Sequence, residues 1–91
     1  MAGYLVCYEL QRPASYERVR SWLQDQGAAQ LLETVWALST EGSALDLRNG
    51  LVSQVEHEDA IAIVEIKPGS WWACENAETQ GLEWLRTRIL A

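Results

Sequence analysis

The chain has 91 residues, 48% of them hydrophobic and 22% charged, which is enough for one domain with its own core. Its formal net charge of −6 disfavours unaided binding to nucleic acid, because lysine and arginine supply most of the affinity for phosphates. No stretch approaches the roughly 20 apolar residues that a membrane span needs. We therefore expect a single domain, 1–91, with no membrane partner.

The N-terminal residues and the two cysteines indicate the cellular compartment that we expect for the protein. Met1 is not followed by a basic segment and a long apolar run, so the sequence predicts no secretory signal. Cys7 and Cys74 show neither a CxxC arrangement nor metal-ligand spacing. Two unpaired thiols fit a reducing compartment, so we expect a cytoplasmic protein.

The first half of the chain predicts a strand, a helix and two short strands. The first predicted strand, Gly3–Leu10, is apolar on both faces. The helix begins at Ser15 as its N-cap and stops at Gly27. Residues 28–40 hold two extended runs that meet near Glu33–Thr34, although no Asn-Gly or Asp-Gly marks the turn.

The second half predicts a helix and the fourth strand. Ser43 and Asp46 have the spacing of a capping box, and the helix that follows buries Leu47, Leu51 and Val55. Asp59–Ile66 has the clearest strand pattern in the chain and ends at Pro68-Gly69-Ser70.

A last helix is expected from about Asn76 to Leu90. Its apolar residues are spaced for burial against the body of the fold, and they are Leu82, Leu85 and Ile89. Trp71 or Trp72 is expected to cover the exit from the fourth strand.

This order of elements predicts an α+β protein with the ferredoxin-like split βαβ fold (βαββαβ), an antiparallel sheet with two helices on one face, and an added C-terminal helix. The other face is expected to carry residues too apolar for water, namely Leu5, Cys7, Ile61 and Ile63. Either the sheet of a second subunit or the C-terminal helix would cover them. The assignment of faces stays open, because both central strands are apolar on both sides.

Several segments resemble the CRISPR-associated protein two superfamily, which also contains the SinR-like and VapD-like proteins. The SinR-like branch is the more similar of these. The segments are YLVCYEL, TVWALST, DAIAIVEI, Ser70-Trp71-Trp72 and Gly81-Leu82-Glu83-Trp84-Leu85. The resemblance covers nearly the whole chain in pattern and implies a ferredoxin-like homodimer. It further implies that active members cleave nucleic acid with an Asp at the end of the first strand, one from each subunit, which together hold a divalent metal.

The matching triplet here is Tyr8-Glu9-Leu10, with Glu9 where active members have Asp. The extra methylene displaces the carboxylate by more than about 1 Å, which disturbs a pre-organised site. This departure favours a homodimeric regulatory or interaction module without nuclease activity and with no cofactor. The alternative is a metal-dependent endonuclease acting on RNA or DNA, with Glu9 as the catalytic, metal-holding acid and magnesium or manganese as the cofactor.

Three arginines are the candidate nucleic-acid contacts of that alternative. Residues 1–24 carry Arg12, Arg18 and Arg20 against two glutamates, a net charge of +1. Residues 25–91 carry four basic and eleven acidic residues, a net charge of −7. Any polyanion is therefore expected beside these arginines. The simpler interpretation of Glu9 is a solvated strand-end residue paired with Arg12.

Other polar and aromatic residues carry weaker signals. His57 lies among acids with no second ligand at a suitable spacing, so we expect an exposed turn residue. Trp71 and Trp72 would suit base stacking, but their acidic surroundings favour packing at the C-terminal helix or at a dimer rim. A third function, a small-ligand or regulatory domain, stays open because this fold hosts many activities.

Overall fold

The computed structural model describes residues 1–89 and contains a four-stranded sheet and three helices. In chain order the elements are β1 (Ala2–Glu9), α1 (Pro13–Asp25), β2 (Ala29–Leu32), β3 (Val35–Thr40), α2 (Ala44–Val52), β4 (Ala60–Ile66) and α3 (Thr79–Arg88). The strand order is β2-β3-β1-β4, and every neighbouring pair is antiparallel. The predicted ferredoxin-like α+β fold with an added C-terminal helix is therefore confirmed.

One face of the sheet carries the main core. Three even-numbered residues of β1, Tyr4, Val6 and Tyr8, are buried there together with Trp36 of β3. Val19 and Leu23 of α1 and Leu47 and Leu51 of α2 pack on this face. Burying large apolar side chains between a sheet and two helices stabilises the domain by roughly 1.5–3 kcal/mol for each of them.

The start of α1 differs from the prediction. The helix begins at Pro13, with Arg12 as its N-cap and no side-chain capping bond. Proline has a fixed φ and no N–H, so it suits the first helical position. Ser15 is the third residue of the helix, so its backbone is already helical and it cannot be the cap; its side chain is fully buried. The predicted capping box of α2 is confirmed, since Ser43 and Asp46 exchange both hydrogen bonds.

The prediction also placed one end of α2 and one end of α3 incorrectly. α2 ends at Val52, so Val55 lies beyond it, although it still packs partly against the main core. α3 begins at Thr79 rather than near Asn76, because Asn76 has a φ of 60°, outside the helical range. The predicted end of that helix at Leu90 lies outside the described residues.

The grouping of apolar residues on the second face was partly wrong. Leu5 and Cys7 do share a face, but Ile61 lies opposite Tyr8 and Ile63 opposite Val6 in the β1–β4 register. Residues directly opposite in an antiparallel pair point to the same side of the sheet. The two isoleucines therefore belong to the face that the helices α1 and α2 cover.

Part of the second face is covered by α3, which is one of the two alternatives expected for it. Trp84, Leu85 and Ile89 are buried against Leu31 and Ala37 in a second apolar cluster. Leu82 is only half-buried, so Trp84 takes the place predicted for it. Trp72 packs on the edge of this cluster, whereas Trp71 is 95% exposed.

Two glycines allow close contacts between elements. A Cβ at Gly81 would lie 2.5 Å from the Cα of Leu31, so α3 can approach β2 only because that side chain is absent. A Cβ at Gly50 would lie 2.9 Å from a ring carbon of Trp22. Gly50 weakens α2 in isolation, but it permits the contact between α2 and α1.

Candidate functional site

Glu9 stands at the last position of β1, opposite Ala60 at the start of β4. Its side chain is exposed, and the residues that line the shallow depression beside it include Cys7, Thr34 and Ala62. None of these neighbours is a second carboxylate. The strand therefore ends on an acid that points into water beside an otherwise apolar and hydroxyl-bearing surface.

The surroundings of Glu9 do not fit a metal within one chain. Across residues 1–89, no group of three or more His, Cys, Asp or Glu side chains is placed to hold a metal ion. Magnesium is bound by carboxylate and carbonyl oxygens in near-ideal octahedral geometry. Glu9 belongs to no such group, so a metal site built on it would need further ligands from a second molecule.

The expected pairing of Glu9 with Arg12 is not formed. Arg12 lies 3.9 Å from the carboxylate of Glu58 instead, in the turn before β4. Both side chains of that pair are more than a third exposed, so it contributes little to stability.

The other two candidate arginines also lie beside acids. Arg18 contacts Glu56 at 3.4 Å and bonds the backbone carbonyl of Gln54 and the hydroxyl of Ser15. Arg20 contacts Glu17 at 3.4 Å on its own helix. Side chains two residues apart on a helix are rotated by about 200° around its axis, so Arg18 and Arg20 point to opposite sides of α1. The three arginines thus do not form one basic surface.

Asp59 is a residue whose role the sequence pattern did not reveal. One carboxylate oxygen accepts the backbone N–H of Gln11 and the other that of Glu56, both at 2.8 Å. The side chain therefore ties the β1–α1 connection to the α2–β4 connection, next to Glu9. Its position just before an apolar strand was the available signal, but the pattern placed Asp59 inside that strand.

A buried hydrogen-bond chain lies under the same end of the sheet. The indole N–H of Trp36 donates to the hydroxyl of Tyr8 at 2.9 Å, and that hydroxyl donates to the carbonyl of Glu33 at 3.2 Å. Burial raises the pKa of Tyr8 above its ordinary value of 10.0. The chain fixes the β2–β3 turn against β1, so it has a structural role beneath the candidate site.

His57 and the cysteines show no sign of a shared site. The side chain of His57 is 98% exposed and its Nδ1 lies 3.1 Å from Glu58, which agrees with the predicted turn residue. Cys7 and Cys74 are both free, as expected. Cys7 is half-buried, and that burial raises the pKa of its thiol, which makes it a poor nucleophile.

Part of the second sheet face is left open. α3 packs mainly over β2 and β3, and its cluster reaches only the start of β1 and the end of β4, where Trp84 lies over Gly3 and where Leu5 and Ile66 pack. The other end of the β1–β4 pair is not part of this cluster. We call the residues of that end the bare strip: Cys7, Ala62 and Val64. Val64 is 52% exposed and Ala62 is exposed, so this face keeps apolar side chains in water.

No protein-family model matches the chain, and no curated protein is significantly similar to it. Within residues 1–89, none of the helices has the length and apolar character needed to cross a bilayer.

Proposed function

We propose that the protein is a homodimeric ferredoxin-like interaction module without nuclease activity. The observation that carries this proposal is the exposed apolar surface on both sides of β4. On one face the bare strip leaves Ala62 and Val64 in water, and on the helix-covered face Ile61 and Ile63 are only partly buried. Contiguous exposed apolar surface marks an interaction site more often than a solvated one. A second copy of the chain is the partner that the resemblance implies.

The surroundings of Glu9 support the absence of nuclease chemistry. Within residues 1–89 the acid belongs to no group of three or more metal-ligating side chains, and the carboxylate of Asp59 nearby is engaged by two backbone N–H groups. The arginines that would hold a phosphate backbone lie against Glu17, Glu56 and Glu58. Breaking those pairs to bind a polyanion would leave the glutamates facing phosphates. Like charges in contact weaken such a complex.

The second candidate function is a metal-dependent endonuclease with Glu9 as the shared acid of a dimer. One observation favours it: Glu9 is exposed at the strand end with no ion-pair partner among residues 1–89. Arg12, Arg18 and Arg20 would have to release their acidic partners to contact the substrate. Magnesium or manganese would be the cofactor.

Nuclease assays separate the two candidates. Wild-type protein and Glu9→Gln are incubated with single-stranded RNA and duplex DNA in magnesium or manganese, and binding of manganese to both proteins is measured by titration calorimetry. We expect no cleavage above the buffer control and no difference in manganese binding between the two proteins. Magnesium-dependent cleavage that is lost in Glu9→Gln would establish the endonuclease instead.

A further inference from the structure

The outer edge of β4 is a regular, unprotected strand edge. β4 pairs with β1 from Ile66 to Ala60 without a bulge, and its other side has no neighbouring strand in the sheet. Natural edge strands are usually protected by lysine, proline or a bulge. Ala60–Ile66 contains none of these, and Glu65 is its only charge.

The direction of the free main-chain groups follows from the ladder. The N–H of Tyr8 donates to the carbonyl of Thr34 at 3.2 Å, on the β3 side, so the groups of Cys7 and Glu9 point to β4. Cys7 lies opposite Ala62. Since the direction alternates along a strand, Ile61, Ile63 and Glu65 point their N–H and C=O groups out of the sheet edge.

We propose that two copies of the chain pair their β4 strands antiparallel across a two-fold axis at Ile63, which joins their sheets into one continuous sheet. This inference rests on the proposed homodimer and specifies its interface. With the axis at Ile63, all of Ala60–Ile66 is paired: Ile63 faces itself, and Ile61 faces Glu65 of the second copy. The outward groups then form about six main-chain hydrogen bonds.

Charge favours this pairing over the one centred on Glu65. Lys67 is the only lysine of the chain, and it makes no ion pair among residues 1–89. In the proposed register Lys67 lies opposite Asp59 of the second copy, next to Glu58. An axis moved to Glu65 would place that carboxylate directly opposite itself, which is destabilising.

Helix α2 supplies apolar surface beside the same edge. α2 packs over β4, and its Gly50 contacts Trp22 of α1. Val52 follows Gly50 by two residues and therefore points about 200° away, on the side turned from α1. Leu45, seven residues earlier, shares that side. Leu45 and Val52 are 58% and 49% exposed, and a second copy paired at β4 brings the two α2 helices together.

The bare strip becomes continuous in the same arrangement. On the face away from α1 and α2, Ala62 lies opposite Val64 of the second copy, and Val64 opposite Ala62. A small side chain meets a larger one at both positions, and Cys7 lies next to each pair. The exposed apolar surface of both copies is thus joined around one axis.

Cysteine cross-linking tests the register. In a background with Cys7 and Cys74 replaced by alanine, Ile63→Cys places two thiols on strands whose Cα atoms are about 5.5 Å apart. That distance lies within the roughly 4.4–6.8 Å range of disulfides. Ile61→Cys and Glu65→Cys alone place their thiols about 14 Å apart along the strands, but a mixture of the two variants places them opposite each other.

Mild oxidation followed by non-reducing electrophoresis is the measurement, with light scattering on the unoxidised proteins. We expect a disulfide-linked dimer of Ile63→Cys, and one from the mixture of Ile61→Cys with Glu65→Cys but not from either alone. If Ile63→Cys does not fold, cross-linking in the mixture of Ile61→Cys with Glu65→Cys tests the β4 pairing by itself. A light-scattering dimer without these cross-links, or with equal cross-linking of Glu65→Cys by itself, overturns the β4 pairing and leaves the proposed homodimer standing. A monomer in light scattering overturns both.

Discussion

At the scale of single residues, the hydroxyl of Tyr8 accepts the only fully buried side-chain hydrogen bond among residues 1–89, that of the Trp36 indole. Tyr8→Phe removes the acceptor of the Trp36 indole N–H and leaves that donor buried without a partner. An unsatisfied buried donor costs roughly 1–3 kcal/mol, so we expect the free energy of unfolding in urea to fall by that amount. Tyr4→Phe is the matched control, because its hydroxyl only donates to the carbonyl of Gly42. An equal loss in both variants would contradict the importance of the indole contact.

The same residue makes stability depend on alkaline pH. Burial raises the pKa of Tyr8 above 10.0, so the folded state holds the phenol proton more tightly than the unfolded chain. This contribution is fully present below the unfolded pKa and is lost as the pH rises through the folded-state pKa. We expect the wild type to lose more stability than Tyr8→Phe as the pH rises above about 10. Parallel stability profiles of the two proteins in urea denaturation would contradict this expectation.

Asp59 is the second residue whose removal should affect the whole fold. Asp59→Ala deletes the acceptor of two backbone N–H groups, those of Gln11 and Glu56. We expect a loss of about 1–2 kcal/mol in urea denaturation, near the lower end for unpaired groups because both sites are partly exposed to water. Glu58→Ala is the control, since the exposed pair with Arg12 should change stability by less than about 0.5 kcal/mol. A neutral Asp59→Ala would show that water replaces the carboxylate.

The candidate site shows what a single sequence reveals about residues. The place of Glu9 at a strand end follows from the alternation of the segment before it. Its lack of a partner does not follow, because Arg12 turns to Glu58, which is distant in sequence. The double contact of Asp59 depends in the same way on two connections that only the folded chain brings together.

At the scale of elements, the packing of α3 predicts different contributions to stability from two tryptophans. Trp84 is 8% exposed against β2 and β3, whereas Trp71 is 95% exposed. We expect Trp84→Ala to cost roughly 3–5 kcal/mol in urea denaturation. Trp71→Ala should stay within about 0.5 kcal/mol, because its side chain buries almost nothing. Similar costs for both, or none for Trp84→Ala, would contradict the packing of α3. Deletion of residues 74–91 should lower the melting temperature for the same reason.

The elements also show where sequence patterns suffice. Strand and helix identities follow from periodicity, and the capping box of Ser43 and Asp46 is a local signal, so both were predicted correctly. The face of β4 was not, because it depends on the register with β1, a long-range pairing. The N-terminus of α1 was missed because Pro13 and Ser15 are both acceptable near a helix start, and the backbone conformation of the folded chain places the start at Pro13.

At the scale of the whole molecule, the side of α2 that carries Leu45 and Val52 should govern self-association. Val52 is 49% exposed, so Val52→Glu should change the stability of the fold little while placing a charge in the proposed interface. We expect the dimer dissociation constant, measured by analytical ultracentrifugation, to rise about tenfold or more. Gln24→Glu adds the same charge to the exposed surface of α1 and should leave the constant unchanged. Equal effects of both changes would indicate general charge repulsion instead.

The homodimer is the central claim, and the mass of the wild-type protein in solution tests it most directly. Light scattering coupled to gel filtration, over a range of micromolar concentrations at moderate salt, gives that mass without any substitution. We expect twice the 10.3 kDa of one chain, since a stable interface of more than about 1,000 Å² should persist at these concentrations. A mass of 10.3 kDa at every concentration would contradict the account.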